Sequence, residues 1–215
     1  MKYVCIATTT TGPSPHKNDI LEVTAIVEDT KNQVGVEHCP RLRFWIDKDY
    51  YKGHPATLAA QSEVFKKICK FRSKNSKFLI TPDEVTINFT KFLQPHFSTH
   101  AKFEIPIPVA GFQFATHTRL FLEKFPNFKN IPFNLNVIEL SNFFMDWNDS
   151  RPPSFGDCVK RSKIQSTAET NLFNSRLMAQ DIIKMLRTRY SNKIVSTHSI
   201  GQSLVRAATQ AFSAK

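Results

Sequence analysis

Apolar residues cluster in three short segments near the start of the chain. Tyr3–Ala7 and Ile20–Val27 are apolar and rich in β-branched residues, and turn-forming residues fill Gly12–Pro15 between them. Arg41–Ile46 alternates charged and apolar side chains, which suits a neighbour in the same sheet. The pattern predicts a meander of three antiparallel strands.

Farther along, apolar positions recur at helical spacing. One predicted helix places these residues on one face: Leu58, Gln61, Phe65, Ile68 and Arg72. A second helix begins at the capping box Thr81–Glu84, with proline at its first position, and its apolar stripe follows in Val85, Phe89, Phe92 and Leu93. The remaining predictions are a buried strand at Ile105–Gly111 and helices at Thr116–Phe125, Ser154–Lys163 and Leu172–Tyr190.

Strands followed by strands mixed with helices indicate an α/β fold. The 215 residues suffice for one well-buried core, and the 19 Phe residues supply much of its area. We expect one domain over residues 1–190 and a basic C-terminal extension over residues 191–215.

Composition narrows the environment. No apolar run approaches the roughly 20 residues that a membrane span needs, and we expect no signal peptide and no membrane partner. The four cysteines are far apart without a CxxC pair: Cys5, Cys39, Cys69 and Cys158. This spacing argues against a zinc ribbon or a disulfide framework and favours reduced thiols in a cytoplasmic protein.

Charge points to a class of partner. The formal net charge is +11. A domain this basic commonly binds a polyanion, and nucleic acid is the commonest one, although excess lysine also serves solubility.

The first two strands carry a recognisable motif. Ile6–Gly12 reads IATTTTG, and Ile20–Val27 reads ILEVTAIV. Together they resemble the first motif of DEDDh-type 3′–5′ exonucleases, the group that includes RNase T and oligoribonuclease. In that register Ala7 stands where the family has Asp, and Thr9 stands where it has Glu.

Two later segments resemble the other motifs of that family. Val109–Leu122 is similar to the second motif and places His117 at its Asp position. Arg176–Asp181 is similar to the third motif, with Arg176 in place of the general-base His and Asp181 retained. The resemblance covers about residues 2–190 and implies an RNase H-like fold: a mixed sheet of about five strands, three antiparallel and then two parallel, flanked by helices.

The resemblance also implies a lost activity. The family uses two divalent metal ions held by four carboxylates, and a His that activates water. The five corresponding positions here are Ala7, Thr9, His117, Arg176 and Asp181, so one carboxylate remains beside an Arg and a His. We therefore expect no metal, no cofactor and no metal-dependent hydrolysis, that is, a catalytically degenerate exonuclease.

With the acids gone, the cleft no longer repels phosphate. Arg176 and His117 could then contact a phosphate directly. Two alternatives stay open: Arg176 pairs with Asp181 or Asp157 or extends into solvent, and His117 is an ordinary residue at a helix start.

Two basic segments lack acidic residues. Phe65–Phe78 carries six cations, interleaved with three Phe residues: Lys66, Lys67, Lys70, Arg72, Lys74 and Lys77. After Asp181 the chain carries six more cations: Lys184, Arg187, Arg189, Lys193, Arg206 and Lys215. Such surfaces neutralise phosphates without reading sequence, although a lysine run is often only a solvated helix face.

These observations predict a non-catalytic RNA-binding protein that contacts structured RNA, or a ribonucleoprotein such as the ribosome through ribosomal RNA. The binding residues that we predict are Lys66, Lys67, Lys70, Arg72, Lys74, Lys77, Arg176, Lys184, Arg187, Arg189 and Lys193. A protein-interaction scaffold with a host protein partner and a residual metal-dependent nuclease are the alternatives. Three connecting segments resemble those of phage and bacterial members: Gly53–Pro55, Ile138–Glu139 and Pro153–Cys158. Together with the short length of the chain, they imply a phage protein in the host cytoplasm. The sequence leaves the oligomeric state open.

Overall fold

The structure, a computed structural model, describes residues 1–99, 102–103, 106–166 and 174–190. The predicted extension over residues 191–215 lies outside this range. The strands in chain order are β1 (Lys2–Thr10), β2 (Ile20–Asp29), β3 (Arg41–Ile46), β4 (Leu79–Ile80), β5 (Ser98–Thr99), β6 (Lys102–Phe103), β7 (Val109–Gly111) and β8 (Ile138–Glu139).

Six strands form the central sheet in the order β4-β3-β2-β1-β7-β8, and β5 pairs with β6 in a separate hairpin. Strands β1, β2 and β3 are antiparallel, while β7 is parallel to β1 and β8 to β7. This confirms the predicted arrangement of three antiparallel and two parallel strands. The sixth strand, β4, pairs with β3 in parallel through two residues, too short a stretch to show periodicity in the sequence.

Seven helices surround the sheet within the described part of the chain: α1 (Pro55–Ala60), α2 (Ser62–Ser73), α3 (Val85–Phe97), α4 (Arg119–Leu122), α5 (Leu140–Phe143), α6 (Phe155–Ser162) and α7 (residues 175–190). The capping box at Thr81 is confirmed, because Glu84 accepts hydrogen bonds from the Thr81 backbone and hydroxyl. Ser154 caps α6 as predicted, accepting from the Asp157 N–H.

Three element boundaries differ from the predictions. The first predicted helix is divided at Gln61, whose buried side chain donates 2.5 Å to the Thr10 carbonyl at the end of β1. The predicted strand Ile105–Gly111 is confined to Val109–Gly111, because Pro106 and Pro108 have no N–H for a ladder; Ile105 lies outside the described residues.

The predicted helix Thr116–Phe125 is a π-helical turn at Phe114–Thr118 followed by α4. The predicted helix Leu172–Tyr190 is described from residue 175, and Leu172 lies outside the described residues.

Apolar side chains cover both faces of the sheet. Val4 and Ile6 of β1 pack with Phe89 and Phe121 from α3 and α4 on one face. Tyr3, Cys5 and Ala7 point to the opposite face, where they pack against α6 and α7. Successive side chains of a strand alternate between the two faces of a sheet. Thr9, two residues after Ala7, therefore lies on the same face as Ala7, the one that α7 covers.

The four cysteines are free thiols, and Cys69 alone among them is exposed. No helix in the described ranges is both long and apolar enough to cross a bilayer.

Candidate functional site

The two motif positions of β1 lie on the sheet face that α7 covers. Ala7 pairs with Thr24 of β2, and Thr9 pairs with Glu22. The Thr24 hydroxyl is 2.7 Å from the hydroxyl of Ser175 at the start of α7, and both side chains are buried. Helix α7 therefore begins above the carboxyl end of β1, beside both motif positions.

Glu22 supplies a carboxylate at this position. Its side chain is 2% exposed and accepts hydrogen bonds from the Arg43 Nε at 2.6 Å and the Ser175 backbone N–H at 3.1 Å. The Thr9 hydroxyl donates to it at 3.5 Å. A helix amino terminus stabilises a negative charge, so the fold satisfies Glu22 with protein donors on several sides.

Arg176 follows Ser175 on α7 and lies near two other arginines, Arg43 and Arg41. Its Nε is buried, and no acceptor among the described residues bonds to it. Burial lowers the pKa of Arg176, and the nearby charges of Arg43 and Arg41 lower it further, while Glu22 opposes them.

The pairings that the sequence left open for Arg176 are used elsewhere. The Asp157 carboxylate accepts from the Ser154 N–H and hydroxyl at the start of α6. The Asp181 carboxylate accepts from Ser166 Oγ at 2.7 Å and from Lys184 Nζ at 3.1 Å. Asp181, the retained acid, is fully buried and bonded within the fold.

His117 lies in the π-helical turn after β7. Its ring packs 4.9 Å from the Phe121 ring and hydrogen-bonds the backbone of Pro13, which offers only a carbonyl acceptor. Burial lowers the pKa of His117, and the bond to Pro13 partly offsets this. The lowered pKa favours a neutral imidazole, which connects the turn to the Gly12–Pro13 loop. This agrees with the alternative that His117 is an ordinary residue at a helix start.

Glu139 holds the same turn from β8. Its carboxylate accepts from the backbone N–H of Phe114 at 3.0 Å and of Ala115 at 3.4 Å. Burial raises the pKa of Glu139, and the backbone donors lower it in part.

In the described ranges, no three His, Cys, Asp or Glu side chains come close enough to hold a metal ion. Two carboxylates lie at these positions: Asp181, the retained motif residue, and Glu22, which pairs with Thr9 across the sheet. Each is bonded to a cation of the protein. Mg²⁺ needs several free oxygen ligands, so the donor set does not fit the two metal ions of the exonuclease family.

The basic face predicted on α2 is only partly free. Arg72 is bound to Asp47 and to the Lys48 carbonyl, and Lys66 pairs with Glu63 at 2.6 Å. The lysines Lys67, Lys70, Lys74 and Lys77 are exposed. The segment Phe65–Phe78 contains no acidic residue, but Asp47 and Glu63 lie close to two of its cations in the fold. RNA contact by the exposed lysines stays a prediction.

The cations of α7 divide in the same way. Arg187 forms two bonds, of 2.8 and 2.7 Å, to the buried carboxylate of Glu28, and Lys184 binds Asp181. Arg189 is exposed, with its guanidinium 5.9 Å from the Phe144 ring. Their role in binding is untested, but Arg187 is committed to an internal ion pair; Lys193 lies outside the described residues.

Sequence reasoning missed the roles of Glu22, Arg43, Arg41 and Glu139. A signal existed for three of them: charged residues at alternating positions of two adjacent apolar strands predict a paired, buried charge. Glu139 carried no such signal, because only the chain path brings it to the turn after β7.

The sequence matches no protein-family model and no curated protein. The fold does have solved neighbours. An exonuclease I structure aligns over 92% of this chain and 43% of its own, with a TM-score of 0.55 and 11% identity. Escherichia coli exonuclease I bound to a dT13 oligonucleotide aligns over 91% of this chain and 43% of its own, with a TM-score of 0.55 and 12% identity.

A complex of exonuclease I with SSB-Ct aligns over 89% of this chain and 42% of its own, with a TM-score of 0.53 and 11% identity. The chain thus spans less than half the length of these neighbours. At this identity the likeness establishes the fold alone: a mixed α/β, RNase H-like exonuclease fold with a six-stranded central sheet.

Proposed function

We propose that this protein is a non-catalytic RNA-binding protein built on a degenerate DEDDh exonuclease fold. The observation that carries the proposal is the arginine centre, defined as Arg41, Arg43 and Arg176. The charges of Arg41 and Arg43 act on Arg176, Arg43 is bonded to the buried carboxylate of Glu22, and the buried Nε of Arg176 has no acceptor among the described residues. An anion at this position would relieve the mutual repulsion of the arginines.

We propose no hydrolysis because the side chains at the motif positions lack the groups that the reaction needs. Two-metal hydrolysis needs carboxylates that are free to bind cations and a base that activates water. Glu22 already binds Arg43 and the start of α7, and Arg176 occupies the general-base position. A guanidinium stays protonated at physiological pH, so Arg176 does not serve as that base.

A phosphate is the anion that the arginine centre suits best. Guanidinium groups bind phosphate oxygens through paired, charge-assisted hydrogen bonds. The E. coli neighbour holds an oligonucleotide on the same fold, which supports a nucleic-acid ligand in general.

Structured RNA is the class that we favour. The exposed predicted cations Lys67 and Lys70 lie on α2 and Arg189 lies on α7. A basic helical surface suits the backbone of A-form RNA, which is recognised mainly through its backbone and shape. A ribonucleoprotein such as the ribosome presents such RNA at high density. The proposal includes a cytoplasmic site of action and, from the resemblance of the connecting segments, a phage origin.

The test is a filter-binding titration of wild-type protein and Arg176→Gln against a structured RNA and a DNA hairpin of equal length. Binding should weaken steeply between about 50 and 200 mM salt, and Arg176→Gln should weaken it at every salt concentration. Arg151→Gln, which removes an exposed arginine outside the predicted binding residues, is the control. Wild-type affinity that is weak and independent of salt would remove the proposal.

One observation favours a second candidate function, a protein-interaction scaffold. Trp147 is fully exposed beside exposed Met145, on a loop that Asp149 and Arg161 hold through bonds of 2.7 Å and shorter. Exposed tryptophans on ordered loops often anchor protein partners. Pull-down from nuclease-treated lysate with wild type and Trp147→Ala separates the two functions, because an RNA-bridged partner is lost on RNA removal and a direct partner is lost in the variant.

A further inference from the structure

A second group of cations lies at the same edge of the sheet, around Asp19. Its carboxylate, 8% exposed, binds Lys48 Nζ at 2.7 Å and the Lys52 backbone N–H at 2.6 Å. Lys124 Nζ from the end of α4 lies 3.8 Å away and donates 2.8 Å to the Asn18 carbonyl. Two ammonium groups thus contact one carboxylate, and the charge of a third lysine, Lys52, also acts on Lys124.

The charge balance of this group, the lysine triad Lys48, Lys52 and Lys124, is incomplete. One carboxylate against three ammonium groups leaves an excess of two positive charges. Burial lowers the pKa of Lys124, the charges of Lys48 and Lys52 lower it further, and Asp19 opposes them. The three positive charges therefore repel one another, and an anion beside Lys48 and Lys124 would reduce that repulsion.

A cavity opens beside the triad. It has a volume of about 100 Å³ and is bordered by Asp19, Lys48 and Lys124, with Ile20, Ile46 and Phe121 among its apolar lining. A space of this size admits a compact anion. Lys48 and Lys124 have side chains 31% and 41% exposed, so their ammonium groups remain accessible from solvent.

We propose that the lysine triad binds a phosphate group, and that in the RNA complex this group belongs to the RNA backbone. The RNA part rests on the function proposed above. Asp19 precedes Glu22 by three residues, so their Cα atoms are at most about 11 Å apart. One strand of RNA that crosses this edge of the sheet can therefore contact the arginine centre and the lysine triad within a few nucleotides.

The test compares Lys52→Gln/Lys124→Gln with the control Lys31→Gln/Lys91→Gln, which removes two exposed lysines elsewhere. The first arm measures RNA affinity against salt. Loss of two phosphate contacts should lower the slope of log K against log salt by about 1.4–1.8 and weaken binding on the order of 10-fold, while the control keeps the wild-type slope. Lys124→Arg should keep the slope as well.

The second arm titrates inorganic phosphate into each protein and follows it by ³¹P NMR. Wild type and the control should bind phosphate at the triad, and Lys52→Gln/Lys124→Gln should not. Thermal unfolding of every variant establishes that it is folded.

The outcomes separate the two proposals. RNA binding with an unchanged slope in Lys52→Gln/Lys124→Gln overturns the triad and leaves the function standing. If the wild type binds phosphate but not RNA, and Lys52→Gln/Lys124→Gln does not bind phosphate, the triad stands as a site for free phosphate. The proposed RNA-binding function is then overturned. Failure of both arms in the wild type overturns both.

Discussion

The Glu22 carboxylate accepts a 2.6 Å hydrogen bond from Arg43 Nε across two neighbouring strands, beneath the first turn of α7. Arg43 also lies over the Trp45 ring, with its guanidinium carbon 4.5 Å from the ring centre. The Glu22 carboxylate is therefore bonded to a cation of the protein itself.

Arg43→Met is expected to destabilise the protein by about 2–4 kcal/mol, because it leaves Glu22 buried without its cation. The expected value lies towards the lower end for a buried pair, since Arg43 is partly exposed. Urea denaturation measures the change. Adding Glu22→Gln to Arg43→Met should recover part of the loss, because a neutral amide can still accept from the Ser175 N–H.

The control for this prediction is Arg41→Met, which removes an exposed arginine from the same strand and should change stability by no more than about 0.5 kcal/mol. Equal losses for Arg41→Met and Arg43→Met would contradict the account of Glu22.

Exposed and internal cations should behave differently on mutation. Lys67→Gln/Lys70→Gln/Lys74→Gln is expected to lower the slope of log K for RNA against log salt by about 2, with stability changed by no more than about 0.5 kcal/mol per site. Salt-dependent filter binding and urea denaturation give the two quantities. An unchanged slope would show that α2 is only a solvated face.

Arg187→Gln should have the opposite effect. It breaks the bidentate pair with buried Glu28, so we expect a loss of about 2–4 kcal/mol in stability and an unchanged salt slope well below the unfolding temperature. Arg189→Gln on the same helix should leave stability unchanged. A reduced slope in Arg187→Gln with stability intact would instead place Arg187 in the RNA interface.

The pKa of His117 is lowered in the fold, so the unfolded chain binds the proton more readily. Stability that rests on the neutral imidazole is therefore present above the unfolded pKa of about 6.5 and is lost as pH falls through the lower folded pKa. The difference in unfolding free energy between wild type and His117→Gln should be larger at pH 7.5 than at pH 5.5. Urea denaturation at the two pH values measures it, and a constant difference would mean that His117 does not titrate as described.

Divalent metals should not stabilise the protein through this site. A ligand that binds only the folded state raises the unfolding temperature, so a metal held by the motif positions would do so saturably. We expect equal unfolding temperatures in MgCl₂, MnCl₂ and NaCl at matched ionic strength. A saturable increase in Mn²⁺ that Asp181→Asn abolishes would contradict the interpretation.

The sequence was most informative where local signals were strong. The three antiparallel strands, the capping box at Thr81 and the helix cap at Ser154 all follow from short-range patterns. Strand β4 has two residues and no period to detect. Pairings between distant residues, such as Arg187 with Glu28 and Arg72 with Asp47, depend on the chain path, so cations counted along the chain overstated the free positive surface.

The same limit applies to the candidate site. The motif positions Ala7, Thr9 and Arg176 could be identified from the sequence, but the side chains that surround them could not. Glu22, Arg43 and the amino terminus of α7 meet only because β2, β3 and a helix about 150 residues later converge, as the Ser175–Glu22 bond demonstrates.

The most direct test of non-catalytic RNA binding is one titration of end-labelled structured RNA, performed in EDTA and again in Mg²⁺ at matched ionic strength, with the RNA recovered and sized afterwards. The account predicts the same affinity in both and full-length RNA throughout. Binding that requires Mg²⁺, or a ladder of products shortened from the 3′ end, would contradict it.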